Sequence, residues 1–318
     1  MAIHMVLDAS AASAQTASTG SAQPFPTKAI RIVTGGTGSN SDLISRLFAQ
    51  GLTGIVGQQV IVDNRPSGVI LGEIVARAAP DGYTLLVSGS SFWLAPFLQD
   101  KLPWNPIRDF SPVILATSTP NIIAIHPAQP VKSVKELIAM AKAKPGELNY
   151  ASGSTGSTPH LAAELFKAMA GVNITRINYK GSGPALQDLI GGQVQVMFPT
   201  GPSAMPHVKA GRLRVLAVTS AQPSALVPGV PTVAATGVPG YEMVSFTGMF
   251  APAKTPKTLI GRLNLESTRV LNVPETRERF LNAGAETVGG TAEQFGAAVK
   301  SEMARLGKLI KDAGIRAE

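Results

Sequence analysis

The chain has 318 residues, enough for two domains with cores of their own, and its 44% apolar and 15% charged residues make an ordinary globular composition. No stretch approaches the roughly 18 consecutive apolar residues of a membrane span, and the absence of cysteine removes thiol catalysis, disulfides and Cys-based metal sites together. The formal charge of +8, from 28 Lys plus Arg against 20 Asp plus Glu, comes without a basic run or interleaved aromatics; this argues against nucleic acid and suits small acidic ligands in a diffuse positive field.

Residues 1–24 carry no aromatic and little but Ala, Ser, Thr and Gln. Ala12-Ser13-Ala14 before Gln15 resembles the small-residue cleavage site of a secretory signal, so the expectation is an exported protein and this stretch a remnant of its signal. A tag or a disordered linker is the plain alternative.

From residue 25 on, strand and helix patterns alternate. AIRIV (29–33) reads as a strand and TGGTGSNS (34–41) as a Gly/Ser loop, followed by a helix with Leu43, Leu47 and Leu52 on one side. VIVDN (60–64), a helix around GEIVARAA and YTLLVSG (83–89) complete a unit whose order predicts a parallel sheet with crossover helices. A second unit begins at IIAIHP (122–127). Ser133 and Glu136 form a capping-box pattern opening the helix KELIAMAKA, which stops at Pro145-Gly146. NYAS, ITRINY, QVQVMF and RLRVLAVTS read as strands, and PHLAAELFKAMAG, with Leu161, Leu165, Phe166 and Met169 on one face, and PALQDLIGG read as helices. Toward the C-terminus come helical patterns in TPKTLIGRLNLESTRVL and PETRERFLNAG. A long helix then runs from Thr291, with Gln294 in capping-box position, an apolar stripe of Phe295, Val299, Met303, Leu306 and Ile310, and Gly314 as its stop. Two α/β lobes are the natural architecture, with expected boundaries of 25–124 plus 249–318 for the first and 125–248 for the second.

Two loops carry the candidate chemistry. The first imitates a dinucleotide fingerprint, with Gly36 and Gly38 spaced G-x-G and Asp63 ending the next strand, but Ser41 stands where the third glycine belongs and Asp42 would oppose a pyrophosphate. On the plain reading, Ser41 or Asp42 caps the helix. The second, NYASGSTGSTPHLAAEL, sets Ser152, Gly153, Ser154, Thr155, Gly156 and Ser157 before a helix. Thr158 can cap that helix, Pro159 suits its first turn, and no acid follows until Glu164. Helix N-termini attract anions because their amides point outward with partial positive charge, so this end is left open for an external anion. With no Walker lysine and no Arg nearby in sequence, carboxylate is favoured over phosphate; a self-capped flexible loop is the structural alternative. His160, in the first turn, can donate to a bound anion or simply face solvent. His126 and His207 adjoin prolines and read as structural. No G-x-S-x-G elbow or H-E-x-x-H occurs, and neither an enzyme nor a cofactor or metal site is expected.

The runs PTKAIRIV, VIVDNRPSG, ARAAPDGYTLLV, the 41-residue stretch from VKSVKELIAM to LFKAMAG, YKGSGPALQDLIGGQVQVMF and AGRLRVLAVTS closely resemble the Bug-type receptors, the periplasmic solute-binding components of tripartite tricarboxylate transporters. The resemblance covers Pro26 to Glu318 in order. It implies a two-lobed type II periplasmic binding protein fold with the ligand between two α/β domains, a monomer not inserted in the membrane, and membrane transporter subunits as partners. It also implies a small organic acid gripped by two loops, here Thr34, Gly35, Gly36, Thr37, Gly38, Ser39, Asn40, Ser41 and Asp42 on one side and Ser152 to Thr158 with His160 on the other. The sequence departs from the family pattern in a shorter first loop without an aromatic, in SGVILGE after N-R-P, and in Pro199 and Thr200 after the MF strand.

The segment SGSSFWLAPF follows the third strand, where α/β clefts bind ligands. Ser90 and Ser91 there and Thr247 of a later segment are candidate ligand contacts, and Phe92 and Trp93, with Phe198 and Phe246, are expected to line an apolar compartment, or else to pack in the core. No Arg or Lys falls in these segments, which favours a monocarboxylate or an aromatic acid. The competing functions are a Rossmann-type oxidoreductase using Gly36, Gly38 and Asp63, and a ligand-sensing receptor not coupled to transport.

Overall fold

The computed structural model describes residues 25–316 apart from 38, 66, 67, 154 and 180. The N-terminal segment read as a signal remnant therefore lies outside the described residues, as do Gly38 and Ser154 of the two loops.

The first unit runs β1 (Ile30–Thr34), α1 (Asn40–Val56), β2 (Val60–Asn64), α2 (Gly68–Ala76) and β3 (Thr84–Gly89). β1 pairs in parallel with both β2 and β3, the arrangement that crossover helices enforce. α3 (Ser90–Leu98) follows β3 directly; its SSFWLAPFL sequence is apolar all round with Pro96 inside, so no periodicity announces it. β4 (Phe110–Pro120) then runs into β5 (Ile122–Ile125) across the single residue Asn121.

The second unit contains α4 (Val134–Ala143), β6 (Asn149–Ser152), α5 (Thr158–Ala170), β7 (Thr175–Asn178), α6 (Ser182–Ile190), β8 (Val196–Met197), α7 (Gly201–Lys209), β9 (Arg214–Val218) and α8 (Val233–Thr236). Ser133 caps α4 by accepting from the Glu136 amide, while the Glu136 carboxylate closes onto the amide of Lys132, one residue before the cap. β10 (Val244–Pro252), α9 (Lys257–Asn272), α10 (Pro274–Asn282), β11 (Glu286–Gly289) and α11 (Ala292–Asp312) follow.

Among the described residues these strands form two sheets, ordered β11-β4-β10-β3-β1-β2 and β7-β6-β8-β5-β9. Both are mixed rather than parallel. β10 returns from the second sheet and so enters the first antiparallel to β3 and β4, and β5 enters the second antiparallel to β8 and β9. The two chain crossings are tied at one point. The Asn121 amide donates to Thr219 Oγ1, Thr219 N and Oγ1 donate to Asn121 O, and Asn121 Nδ2 donates to Phe198 O, at 2.6 to 2.9 Å; the amide of Met243 donates to Thr219 O at 2.8 Å.

α11 begins with the expected capping box, Thr291 with Gln294, and docks on the first sheet through Phe295, Val299, Leu306 and Ile310. Each such burial is worth roughly 1.5 to 3 kcal/mol. Phe295 fits because β10 has a glycine opposite it: a Cβ on Gly248 would lie 2.1 Å from Phe295 Cζ. Leu43 and Met169, expected on apolar faces, are instead exposed.

Candidate functional site

A cavity of about 520 Å³ lies between the two sheets. Gly35, Ser39, Asn40 and Ser41 of the first loop face Thr155, Gly156, Ser157 and Thr158 of the second across it. Ser90, Ser91 and Phe92 of α3 and Ser245 and Thr247 of β10 complete the polar wall, and Arg65, Val69, Leu71, Leu98, Gln99 and Trp104 form the rest of the enclosure. The sequence pattern thus locates both loops, and the fold brings them to one place.

The two helix ends are not equivalent. Ser39, not Ser41 or Asp42, is the N-cap of α1 and accepts from the Asp42 amide at 3.2 Å. Asp42 is buried in that first turn, where its carboxylate takes Arg46 Nε at 2.9 Å and Asn64 Nδ2 at 2.8 Å. Its charge is compensated, but it weakens the positive end of α1. At α5 the cap position is Ser157 rather than Thr158; it makes no capping bond, and no acid stands in the first turn. Ser157 Oγ is buried without a protein partner, while the residue itself is part of the cavity lining. A buried hydroxyl without a partner costs about 1 to 3 kcal/mol.

Among the described lining residues there is no carboxylate, and Arg65 is the single cation. Its Nη2 contacts Asp63 Oδ2 at 3.0 Å, while its Nε is buried with no partner. Asp63 is also paired with Arg31. Burial would raise the Asp63 carboxyl, but hydrogen bonds from Arg31 and Arg65 outweigh it and hold it below its ordinary range. The acid of the dinucleotide reading is therefore already engaged.

Residues 44–315 match the family described as "Tripartite tricarboxylate transporter family receptor". The chain belongs to this receptor family. Protein BugT of Bordetella pertussis is 35% identical over 301 residues, covering 93% of this chain and 92% of that one. The structure of Rpa4515 of R. palustris with adipate is 36% identical at a TM-score of 0.78, covering 92% of this chain and 99% of the other. MatC (Rpa3494) from Rhodopseudomonas palustris with bound malate is 29% identical at a TM-score of 0.74, covering 90% and 100%. The two-lobed periplasmic binding protein fold of these neighbours is the fold described above. No helix among the described residues is long and apolar enough to cross a membrane.

In this tripartite tricarboxylate transporter receptor several expected site residues stand elsewhere. Trp93 and Phe198 do not line the cavity: both are fully buried, Trp93 against Phe250 and Phe295, Phe198 against Phe166. Phe246 packs at the edge of the same core. The aromatic wall comes instead from Phe92 and Trp104, stacked at 4.5 Å, with Trp104 Nε1 donating to Val69 O. Thr34 is buried and donates to Val87 O at 2.9 Å; Gly36 and Thr37 do not border the cavity. Pro199 and Thr200 sit at the chain crossing, where Pro199 O accepts from the Ile122 amide and the Thr200 hydroxyl bonds Ser203.

His160 is also outside the lining. It is 3% exposed, and its Nδ1 accepts the Gly156 amide at 3.0 Å, which fixes a neutral imidazole with the proton on Nε2. Burial, then the nearby Arg176 charge, lowers its pKa to about 4. The hydroxyl loop is not remote from an arginine after all. Register places Arg176 of β7 beside Tyr150 of β6, so its side chain reaches Ser152, Gly153 and Thr155. Ser152 is thereby buried behind the loop, and Gly153 closes on Gly181, whose carbonyl carbon would lie 3.1 Å from an added Cβ.

On the opposite wall, Ser90 Oγ and Trp93 Nε1 donate to Glu302 of α11, at 3.1 and 2.6 Å, and Ser90 Oγ accepts from the Phe246 amide at 3.2 Å. Glu302 is 4% exposed. Burial pushes its pKa up to about 7 against the opposing pull of Trp93 and Ser90. Arg65 was recoverable from sequence, since it directly follows β2, where α/β clefts take their ligands; Trp104 and Glu302 gave no such signal.

Proposed function

We propose that the cleft receives a small organic acid in the periplasm and presents it to the membrane subunits of a tripartite tricarboxylate-type transporter, without catalysis. The observation that carries this reading is the donor-rich, acid-free lining. Ser157, at the uncapped end of α5, lines one part of the cavity, and Arg65 lines another. One carboxylate group belongs at the α5 jaw, with the α1 jaw adding weaker donors. Three or four charge-assisted hydrogen bonds of about 1.5 to 3 kcal/mol each suffice for micromolar binding after association costs.

Arg65 changes the expectation for the far end of the ligand. A cation in the lining favours a second acceptor group there, with a hydrocarbon link against Phe92, Trp104, Leu71 and Leu98. That the neighbours Rpa4515 and MatC are described with adipate and malate, both acids at two ends, supports it. The lobes on either side are taken to turn about the crossings at Asn121 and between Thr219 and Val244, close to the boundaries expected from sequence.

Thermal melting with a panel of mono- and dicarboxylates tests the reading. A ligand at 100 times its Kd adds about 2.7 kcal/mol, a shift of several degrees. At least one acid should give that concentration-dependent rise, and Arg65→Met should weaken a dicarboxylate more than the matching monocarboxylate. Stabilisation by nucleotides alone would sink the receptor reading.

A further inference from the structure

Arg176 touches the hydroxyl loop from behind and does not border the cavity. Its Nε donates to Ser152 Oγ at 2.7 Å, Nη1 to Thr155 Oγ1 at 3.1 Å, and Nη2 to Gly153 O at 3.0 Å and Asn178 Oδ1 at 2.8 Å. A guanidinium can only donate, so each hydroxyl it meets must use a lone pair and turn its own proton elsewhere. For Ser152 that proton has Gly153 O, at 3.4 Å. For Thr155, which does line the cavity, no acceptor among the described residues takes it. Accepting from Arg176 thus leaves the Thr155 hydroxyl proton for an acceptor other than the guanidinium, and the fork that sets it carries a full positive charge.

We propose that Arg176 is a positioning residue for ligand selection: it turns the Thr155 hydroxyl proton away from itself, toward the cleft, and places a positive field behind the loop, so that the cleft prefers a charged carboxylate to a neutral group of the same shape. This rests on the reading of the cavity as an acid site. The same guanidinium braces the loop at three residues and stands near His160, whose neutral ring holds the Gly156 amide. One side chain therefore orders the loop's hydroxyls, and its charge helps keep the imidazole in the form that anchors the loop. A lysine has the charge without the planar fork and cannot hold Ser152, Gly153 and Thr155 together.

The test is isothermal titration of the full chain with adipate, malate and benzoate, each beside its neutral amide. In wild type at least one acid binds better than its amide. In Arg176→Gln the acid should weaken by about 10- to 100-fold and the acid-to-amide ratio should fall with it; Arg176→Lys should recover only part. Thr155→Val should cost as much in wild type but little in the Arg176→Gln background. Imidazole NMR supplies a second readout, with the His160 titration moving up once the neighbouring charge is gone. Should Arg176→Gln not fold, Thr155→Val, which keeps the guanidinium, carries the acid-to-amide comparison alone. Unchanged ratios in these variants overturn the positioning role and leave the receptor reading standing. Failure of wild type to bind any acid overturns both.

Discussion

His160 must stay neutral for the hydroxyl loop to keep its Gly156 anchor, and Glu302 is a carboxyl placed almost out of water behind the cleft wall. Their titrations act on stability with opposite signs. With its pKa lowered to about 4 from 6.5, His160 binds fewer protons in the folded than in the unfolded chain across that interval, so its contribution is lost as pH falls through it. Glu302, raised from 4.5 to about 7, binds more protons when folded, so its contribution is lost as pH rises through that interval. Each amounts to the order of 3 kcal/mol, and in the shared interval they cancel. Glu302→Gln should therefore expose a urea midpoint that climbs from about pH 4 to 6.5, and His160→Asn one that declines from about pH 4.5 to 7. Flat midpoints in both variants would contradict the assignment. Ser157 offers a sharper contrast, because its hydroxyl is buried without a partner. Ser157→Ala should leave the unliganded protein as stable or slightly more so while weakening the acid by about tenfold, as expected where stability has been given up for binding; a clear loss of stability without ligand would show the hydroxyl to be structural.

Among the elements, those with a strong period or a cap are the ones the sequence makes plain. The α11 stripe and its capping box, the parallel β1–β3 unit and the hydroxyl loop before α5 all follow from local rules. What escapes is whatever depends on register or on which face of an apolar element is covered. α3 is apolar on every side, so nothing local separates Phe92, which lines the cavity, from Trp93, which is buried against Phe250 and Phe295. Arg176 lies 21 residues from Thr155 and meets it only because β7 pairs with β6 in one register. The β10–α11 contact is a similar case, legible as a stripe on one partner but not as a missing side chain on the other. Gly248→Ala should push Phe295 out of place and destabilise the protein by about 1 to 3 kcal/mol, seen as a lower melting temperature. An unchanged melt would mean that the sheet yields there at no cost.

For the whole molecule, the cleft is bridged where Gly156 of the hydroxyl loop packs on Leu98 at the end of α3. A methyl at Gly156 would lie 2.5 Å from Leu98 Cδ1, and its φ of 76° already disfavours any side chain. Gly156→Ala should prop the lobes apart. Small-angle scattering at saturating acid should give a larger radius than wild type, and affinity should drop by more than tenfold; equal radii would argue that the loop moves aside alone. The tie between Asn121 and Thr219 has a further consequence. Because the two chain crossings are fastened to each other through short bonds among buried atoms, they are joined into one ribbon. Under the hinge proposed above, a ligand enters and leaves along the turning motion that this ribbon permits. On that proposal the loops decide which acid is held and the tie how quickly it is exchanged, so the two properties can drift independently in different residues.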